Sequence, residues 1–396
     1  MVRLGAQANQ QAGFSARYRR DLILTCLTTA LLLTANLSAA ASPCATPGQW
    51  LTPGTGAAGP QPSMGWQTLA SQQVVLLGEQ HDQSAHHRWQ LNTIAALHSR
   101  QADMAIGLEM LPRDAQPALD QWVAGELNER QLLDKTHWYR YWGRDADLYL
   151  PIMHFARDHR LPLVALNVTA QQRRELTEPS SEQWSLEQRH GVPVPLPPSA
   201  HYRSRLLESF QQHTTEQLSD SVSDAFIRAQ LVWDSAMAAS LANASHQHPL
   251  VIGIVGRGHV EYADGIAHQL AGHGITAVSG LIPLEANEAC SAPHELADAV
   301  FVTEPHSSPT ATPTLGIDLE QETDSLVIAE VAENSPAQYA GLQARDQVLR
   351  IAGHEVSEPA EVRAMMDRAL PGSLIPVEVL RDGQWRQQLV TLPVTP

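Results

Sequence analysis

The sequence predicts a mostly parallel β-sheet flanked by helices, an α/β domain, followed by a small α+β domain. Three observations carry that expectation. Short, wholly apolar segments alternate with stretches of helical spacing between residues 73 and 280. Proline, serine and threonine then crowd residues 283–313, and beyond Thr314 short strand patterns return with one or two helical ones. Wholly apolar strands are what a parallel sheet needs when helices cover both its faces, because neither face meets water.

In chain order, Arg17, Arg19 and Arg20 precede an apolar run over residues 22–35 that ends in Ser38-Ala39-Ala40-Ala41. Basic, apolar and small residues in that order are a secretory signal, and the run is shorter than the roughly 20 residues a spanning helix needs. Residues 1–41 are therefore expected to direct export, with membrane association only through an uncleaved signal. Neither Thr25-Cys26 nor Pro43-Cys44 suits a lipid anchor. Once the signal has removed Cys26, Cys44 and Cys290 remain in an oxidising compartment and are expected to pair, closing a long loop worth about 2 to 5 kcal/mol.

The main domain is expected over residues 42–282. QVVLL at 73–77 runs into Gly78-Glu79-Gln80-His81 and then a stretch with helical spacing of Trp89, Leu91, Ile94, Ala95 and Leu97. Strands are expected again at 104–108, 163–166 and 250–255, each before a helix, with a long helix at 220–242. Residues 283–313, with Pro283, Pro293, Pro305, Pro309 and Pro313, are expected to be an extended, exposed linker, since proline joins neither a sheet interior nor a helix interior.

Composition removes several function classes. With 26 basic and 42 acidic residues the net charge is −16, which opposes a non-specific grip on nucleic acid or anionic lipid. Lys135 is the single lysine and lies in no glycine-rich loop, so P-loop or Schiff-base chemistry could rest on that one residue only. Eighteen histidines keep metal, haem and acid/base chemistry open.

Glu79 and His81 follow a strand two residues apart, which places both side chains on one side at the strand's carboxyl end, where open parallel sheets bind ligands. A second Gly-x-x-His, Gly256 to His259, follows another apolar strand, and Glu109 closes the strand in GLEM. Glu79, His81, Glu109 and His259 are thus expected to share one pocket as a catalytic set. His81, Glu109 and His259 could hold a divalent metal ion, or a histidine could activate water while a glutamate orients it; either arrangement gives a hydrolase. Of His86 and His87, neighbours about 100° apart on a helix, at most one is expected to face the pocket. The segment His137-Trp138-Tyr139-Arg140-Tyr141-Trp142 offers haem an aromatic face, tyrosine ligands in Tyr139 and Tyr141, and Arg140 or Arg144 for a propionate.

Residues 314–396 resemble a PDZ domain. Leu315-Gly316-Ile317 matches the loop whose N–H groups receive a peptide's terminal carboxylate, and Ser335-Pro336-Ala337 with Ala340-Gly341-Leu342 matches the first helix. The stretch from Asp346 to Gly353 matches the strand pair after it. The resemblance implies peptide binding by strand addition, with Leu315, Gly316 and Ile317 at the peptide. Arg345 departs from it, standing where bacterial members carry glycine, which puts the form of that turn in doubt.

The main domain resembles the ChaN-type haem-binding proteins, grouped with the Tiki and erythromycin-esterase proteins, through LGEQHDQSAHHRWQL, IGLEMLPRDAQPALDQWVAGEL, THWYRYWGRDADLYLPIMHFARDHRLPLVALNV, AQLVWDSAMA and GRGHVEYADGI. That resemblance implies haem binding and iron uptake at a Gram-negative envelope, in the periplasm, and a possible homodimer with haem at its interface. It also carries the shared site onto Glu79, His81, Glu109 and His259. The wider group includes hydrolases and metal-dependent proteases, which keeps a hydrolase as the alternative to haem handling. The PDZ partner would be a protein's chain end or another peptide.

Overall fold

In a computed structural model, residues 45–213, 219–306, 313–322 and 325–394 are described. The expected signal, residues 1–41, lies outside them, as does Cys44; Cys290 is disulfide-bonded. Among the described residues no helix is long and apolar enough to cross a membrane.

The first sheet has eight strands: β1 (Trp50–Thr52), β2 (Ala57–Gly59), β3 (Val74–Glu79), β4 (Met104–Pro112), β5 (Leu163–Asn167), β6 (Leu250–Gly256), β7 (Val278–Glu285) and β8 (Ala299–Thr303). Their order is β2-β1-β8-β7-β3-β6-β4-β5. The six strands from β8 to β5 run parallel, and the β1–β2 hairpin pairs antiparallel against β8. The helices that matter below are α1 (Ser84–His98), α2 (Glu129–Lys135), α3 (Trp138–Tyr141), α4 (Leu150–His159), α5 (Ala170–Thr177), α6 (Ala200–His213), α7 (Asp220–Ser245) and α8 (Ile266–Ala271).

Every residue of β3, β4 and β6 is buried, and the two-residue period of a strand divides them between two cores. Val75, Leu77, Ile106, Leu108, Ile252 and Ile254 pack with Trp89, Ile94 and Leu97 of α1. Val74, Leu76, Val251 and Val255 pack on the other face with Met237 and Leu241 of α7 and Ile266 and Leu270 of α8. The expected parallel α/β sheet is therefore present, with helices on both faces.

The expected linker at 283–313 needs correction. β7 continues through Glu285, a short helix covers Ala286–Ser291, and β8 joins the sheet. Proline is tolerated at 283 because pairing with β3 ends at Leu281, so from there β7 bonds to β8 alone. The connecting stretch shortens to about residues 304–316, of which 307–312 lie outside the described residues.

The second sheet is antiparallel, with β9 (Ile317–Glu322), β10 (Ser325–Val331), β11 (Gln347–Ile351), β13 (Leu374–Arg381) and β14 (Gln384–Thr391) in the order β14-β13-β11-β10-β9, and β12 (His354–Glu355) paired to β11. Helix α9 (Pro359–Arg368) packs Val362 and Met366 onto Leu326, Ile328, Val348 and Val377. Buried Asp346 takes two hydrogen bonds from Arg381, 2.6 and 2.7 Å long. At the doubtful turn just before it, Arg345 adopts the left-handed backbone that glycine favours, with φ of 73°.

The two domains touch. Arg130 of α2 reaches Glu361 Oε1 at 2.5 Å and the Glu355 carbonyl at 2.7 Å, and Arg368 of α9 pairs with Asp145 and Asp147.

Candidate functional site

The site lies at the carboxyl ends of three adjacent strands, β3, β6 and β4, and it brings the four expected residues together. Glu79 ends β3 and is buried; two residues on, His81 Nδ1 lies 2.6 Å from Glu79 Oε1. Glu109 lies just beyond the last β4–β6 pairing, at Leu108, and its Oε2 accepts from the Gly256 N–H at 2.5 Å. Gly256 lets the ring approach closely: a Cβ would stand 3.0 Å from His81 Cε1 and 3.6 Å from Glu109 Oε2. His259 follows in the next turn, with Nε2 3.6 Å from Glu109 Oε1 and Nδ1 2.6 Å from Asp234 Oδ1.

The result is two imidazoles, each held through Nδ1 by a buried carboxylate, with Glu109 beside them. Such a bond fixes ring orientation and leaves Nε2 as the working atom. Burial lowers the His259 pKa, but the charges of Asp234 and Glu109 and the bond to Asp234 outweigh it and raise it to about 9. In His81 burial is likewise outweighed, by the bond to Glu79 and the charges of Glu79 and Glu109, so its pKa is also raised. At neutral pH His259 is therefore a proton donor, and His81 is a stronger base than a free imidazole.

Of the adjacent histidines, His87 backs the site, with Nε2 3.2 Å from the His81 carbonyl and 3.9 Å from Glu79 Oε2; burial lowers its pKa. His86 instead accepts from the Gln80 N–H at 3.0 Å, a bond that fixes the loop, and burial lowers its pKa to about 4.

Three residues absent from the sequence-based set complete the support. Asp234 on α7 is fully buried and also accepts from Tyr202 of α6 at 2.6 Å, and Tyr149 donates to Glu79 Oε1 at 3.1 Å. One signal pointed to Asp234: it is the sole charge in the apolar helical stretch LVWDSAMAAS. Tyr149 and Tyr202 carried none, because each is joined to its carboxylate only by the fold.

A cavity of about 340 Å³ opens from His81. Trp142 stands edge-on to His81 at 4.7 Å, and Trp233 lies 5.3 Å from His259. Arg140, Arg144 and Arg173 also line it, Arg173 lying 4.6 Å over Trp233. Tyr141 lines this cavity; Tyr139 does not. Tyr139 faces a different cavity, shared with α9, where burial and the charges of Glu361 and Asp145 raise its pKa to about 12. Trp138 is core, its indole N–H bonded to the Arg144 carbonyl. The Glu79 Oε2, Trp142 Nε1 and Trp233 Nε1 atoms are buried and, among the described residues, meet no hydrogen-bond geometry.

The expected metal set of His81, Glu109 and His259 is not supported. Among the described residues no three or more His, Cys, Asp or Glu side chains converge as a group able to hold a metal ion.

Residues 65–270 match the family described as haem-binding uptake, Tiki superfamily, ChaN, and residues 313–392 match the PDZ domain. The chain belongs to the ChaN haem-binding family and carries a PDZ domain behind it. Its fold is similar to that of a Campylobacter jejuni structure titled "Cofacial heme binding to ChaN", with a TM-score of 0.52 at 16% identity, covering 65% of this chain and 97% of that one. Two Bacillus subtilis proteins match more briefly. The serine protease Do-like HtrA is 36% identical over 72 residues, and HtrB is 31% identical over 80. Those stretches are 18% and 20% of this chain and only 16% and 18% of the relatives.

Proposed function

We propose that this protein binds haem at the cavity beside His81 and handles it in iron uptake at the cell envelope, with the PDZ domain recognising a partner's chain end. The observation that carries the reading is the donor set of that one cavity. Haem needs a nitrogen or oxygen ligand for iron, an apolar wall for the macrocycle and cations for its propionates. His81, with Nε2 free of its Glu79 bond, and Tyr141 are the ligand candidates. Trp142 and Trp233 supply the wall, and Arg140, Arg144 and Arg173 supply the cations, in a chain that is otherwise strongly acidic. Bound haem would contribute iron as its reactive centre; the protein's part is to orient the ring and neutralise its carboxylates. Export is supported by the order of basic, apolar and small residues in 1–41.

The test is a haemin titration followed at the Soret band. Saturation at a simple stoichiometry is expected, with the band shifted or lost in His81→Ala or Tyr141→Ala. An unsaturable signal in the wild-type protein would remove the haem reading.

A second reading has its own observation, the pair of carboxylate-held imidazoles. In a metal-free hydrolase His81 would take a proton from water while protonated His259 donates one to the leaving group. His81→Ala and His259→Ala should then each abolish turnover with the fold retained, and turnover that survives both would end this reading.

A further inference from the structure

The PDZ domain leaves an edge strand and an apolar groove open. β9 is the last strand of its sheet, so one row of its N–H and C=O groups has no partner strand. Between β9 and α9 runs a cavity of about 680 Å³ lined by Leu315, Ile317, Leu319, Val362 and Met366. At one end the chain turns through Gly316, with φ of 75° and the Ser335 side chain packed where a Cβ would go. Among the described residues nothing accepts from the N–H of Leu315 or Gly316. Two adjacent unpartnered N–H groups at the end of an apolar groove fit an anion carried on an extended chain, a terminal carboxylate.

The charges beside the groove say which chain end. Strand side chains alternate, so Asp318 lies on the face opposite Ile317 and Leu319. There it is paired in register with Glu330 of β10, and Glu320 follows two residues on. Asp318 and Glu320 are exposed, and none of the three carboxylates has an ion-pair partner among the described residues. On the helix side Arg363 and Asp367, one turn apart, offset each other.

We propose that the groove selects a free chain end with an apolar last side chain and basic side chains at the first and third positions before it. The inference rests on the chain-end reading above. A peptide added to β9 turns its last side chain into the groove, and the alternation then aims the first and third preceding side chains at Asp318, Glu320 and Glu330. A basic partner also fits the net charge of −16.

The test uses the full protein and two fluorescein-labelled decapeptides ending in free valine, identical except for Arg or Glu at those two positions. The Arg peptide is expected to bind about tenfold more tightly at low salt, with the gap closing as salt screens the pairs. The double variant Asp318→Lys, Glu330→Lys should reverse the order. Equal binding, or preference for Glu, would overturn the charge inference while leaving the chain-end reading standing. Failure of both peptides to bind, or equal binding of the amidated forms, would overturn the chain-end reading itself.

Discussion

At the residue scale the site depends on carboxylates that hold imidazoles, and pH tests this directly. The folded pKa of His259, about 9, lies above the ordinary 6.5, so folding favours its protonated form. Its contribution is complete below about pH 6.5 and is lost as pH rises through about 9, a difference of about 3 kcal/mol. His86 has the opposite sign: held neutral with a pKa of about 4, it contributes above pH 6.5 and loses that contribution as pH falls towards 4. Denaturation midpoints for Asp234→Asn against wild type at pH 6 and pH 9.5 should show the alkaline loss shrink in the variant. An unchanged alkaline slope would mean that Asp234 does not set the His259 pKa. Gly256→Ala tests the close approach from another side. Its Cβ would press on the His81 ring, so the histidine's NMR titration and the haemin affinity should change while the melting temperature moves little.

At the element scale β3, β6 and β4 form a rigid platform because helices cover both its faces. Leu241 of α7 is fully buried in the cluster with Val251 and Val255 and lies beside Gly253 of β6. Leu241→Ala should cost about 2 to 5 kcal/mol in urea denaturation, the range for emptying a tightly packed core position. The same helix carries Asp234 on the same face about two turns earlier, so the variant should also loosen His259. Sequence periodicity located these elements well. Strands at 73–77, 104–108, 163–166 and 250–255 and the helix at 220–242 all appear, with ends shifted by a few residues. β7 and β8 were hidden because Pro283 and nearby prolines look like strand breakers. Only the sheet order shows that Pro283 lies beyond the last bond to β3.

At the scale of the whole molecule, one helix faces two ways. α9 lines the peptide groove with Val362 and Met366 and turns Glu361 and Arg368 toward the main domain. The PDZ core shares no residue with the clusters around the first sheet, so a protein truncated after residue 313 should still unfold cooperatively, with its melting temperature nearly unchanged. Arg130→Ala combined with Arg368→Ala should speed proteolytic cutting in residues 304–316 and enlarge the radius of gyration. Cutting at the wild-type rate would show that these ion pairs do not hold the domains together.

The sequence by itself determined the parallel α/β architecture, the PDZ domain and the four residues Glu79, His81, Glu109 and His259. Each of these is written locally, in apolar runs, in turn glycines and in the position of a side chain just past a strand end. Tertiary structure alone decided what those residues pair with. Asp234, Tyr149 and Tyr202 are distant along the chain and were brought to the site by helix packing. The same packing put Tyr141 in the cavity and Tyr139 outside it, although they sit two residues apart, because over one short helical turn side chains two apart point to different sides. The parity that paired Glu79 with His81 across a strand end does not extend into a helix, and that is why the grouping of Glu79, His81, Glu109 and His259 was legible and the separation of Tyr139 from Tyr141 was not.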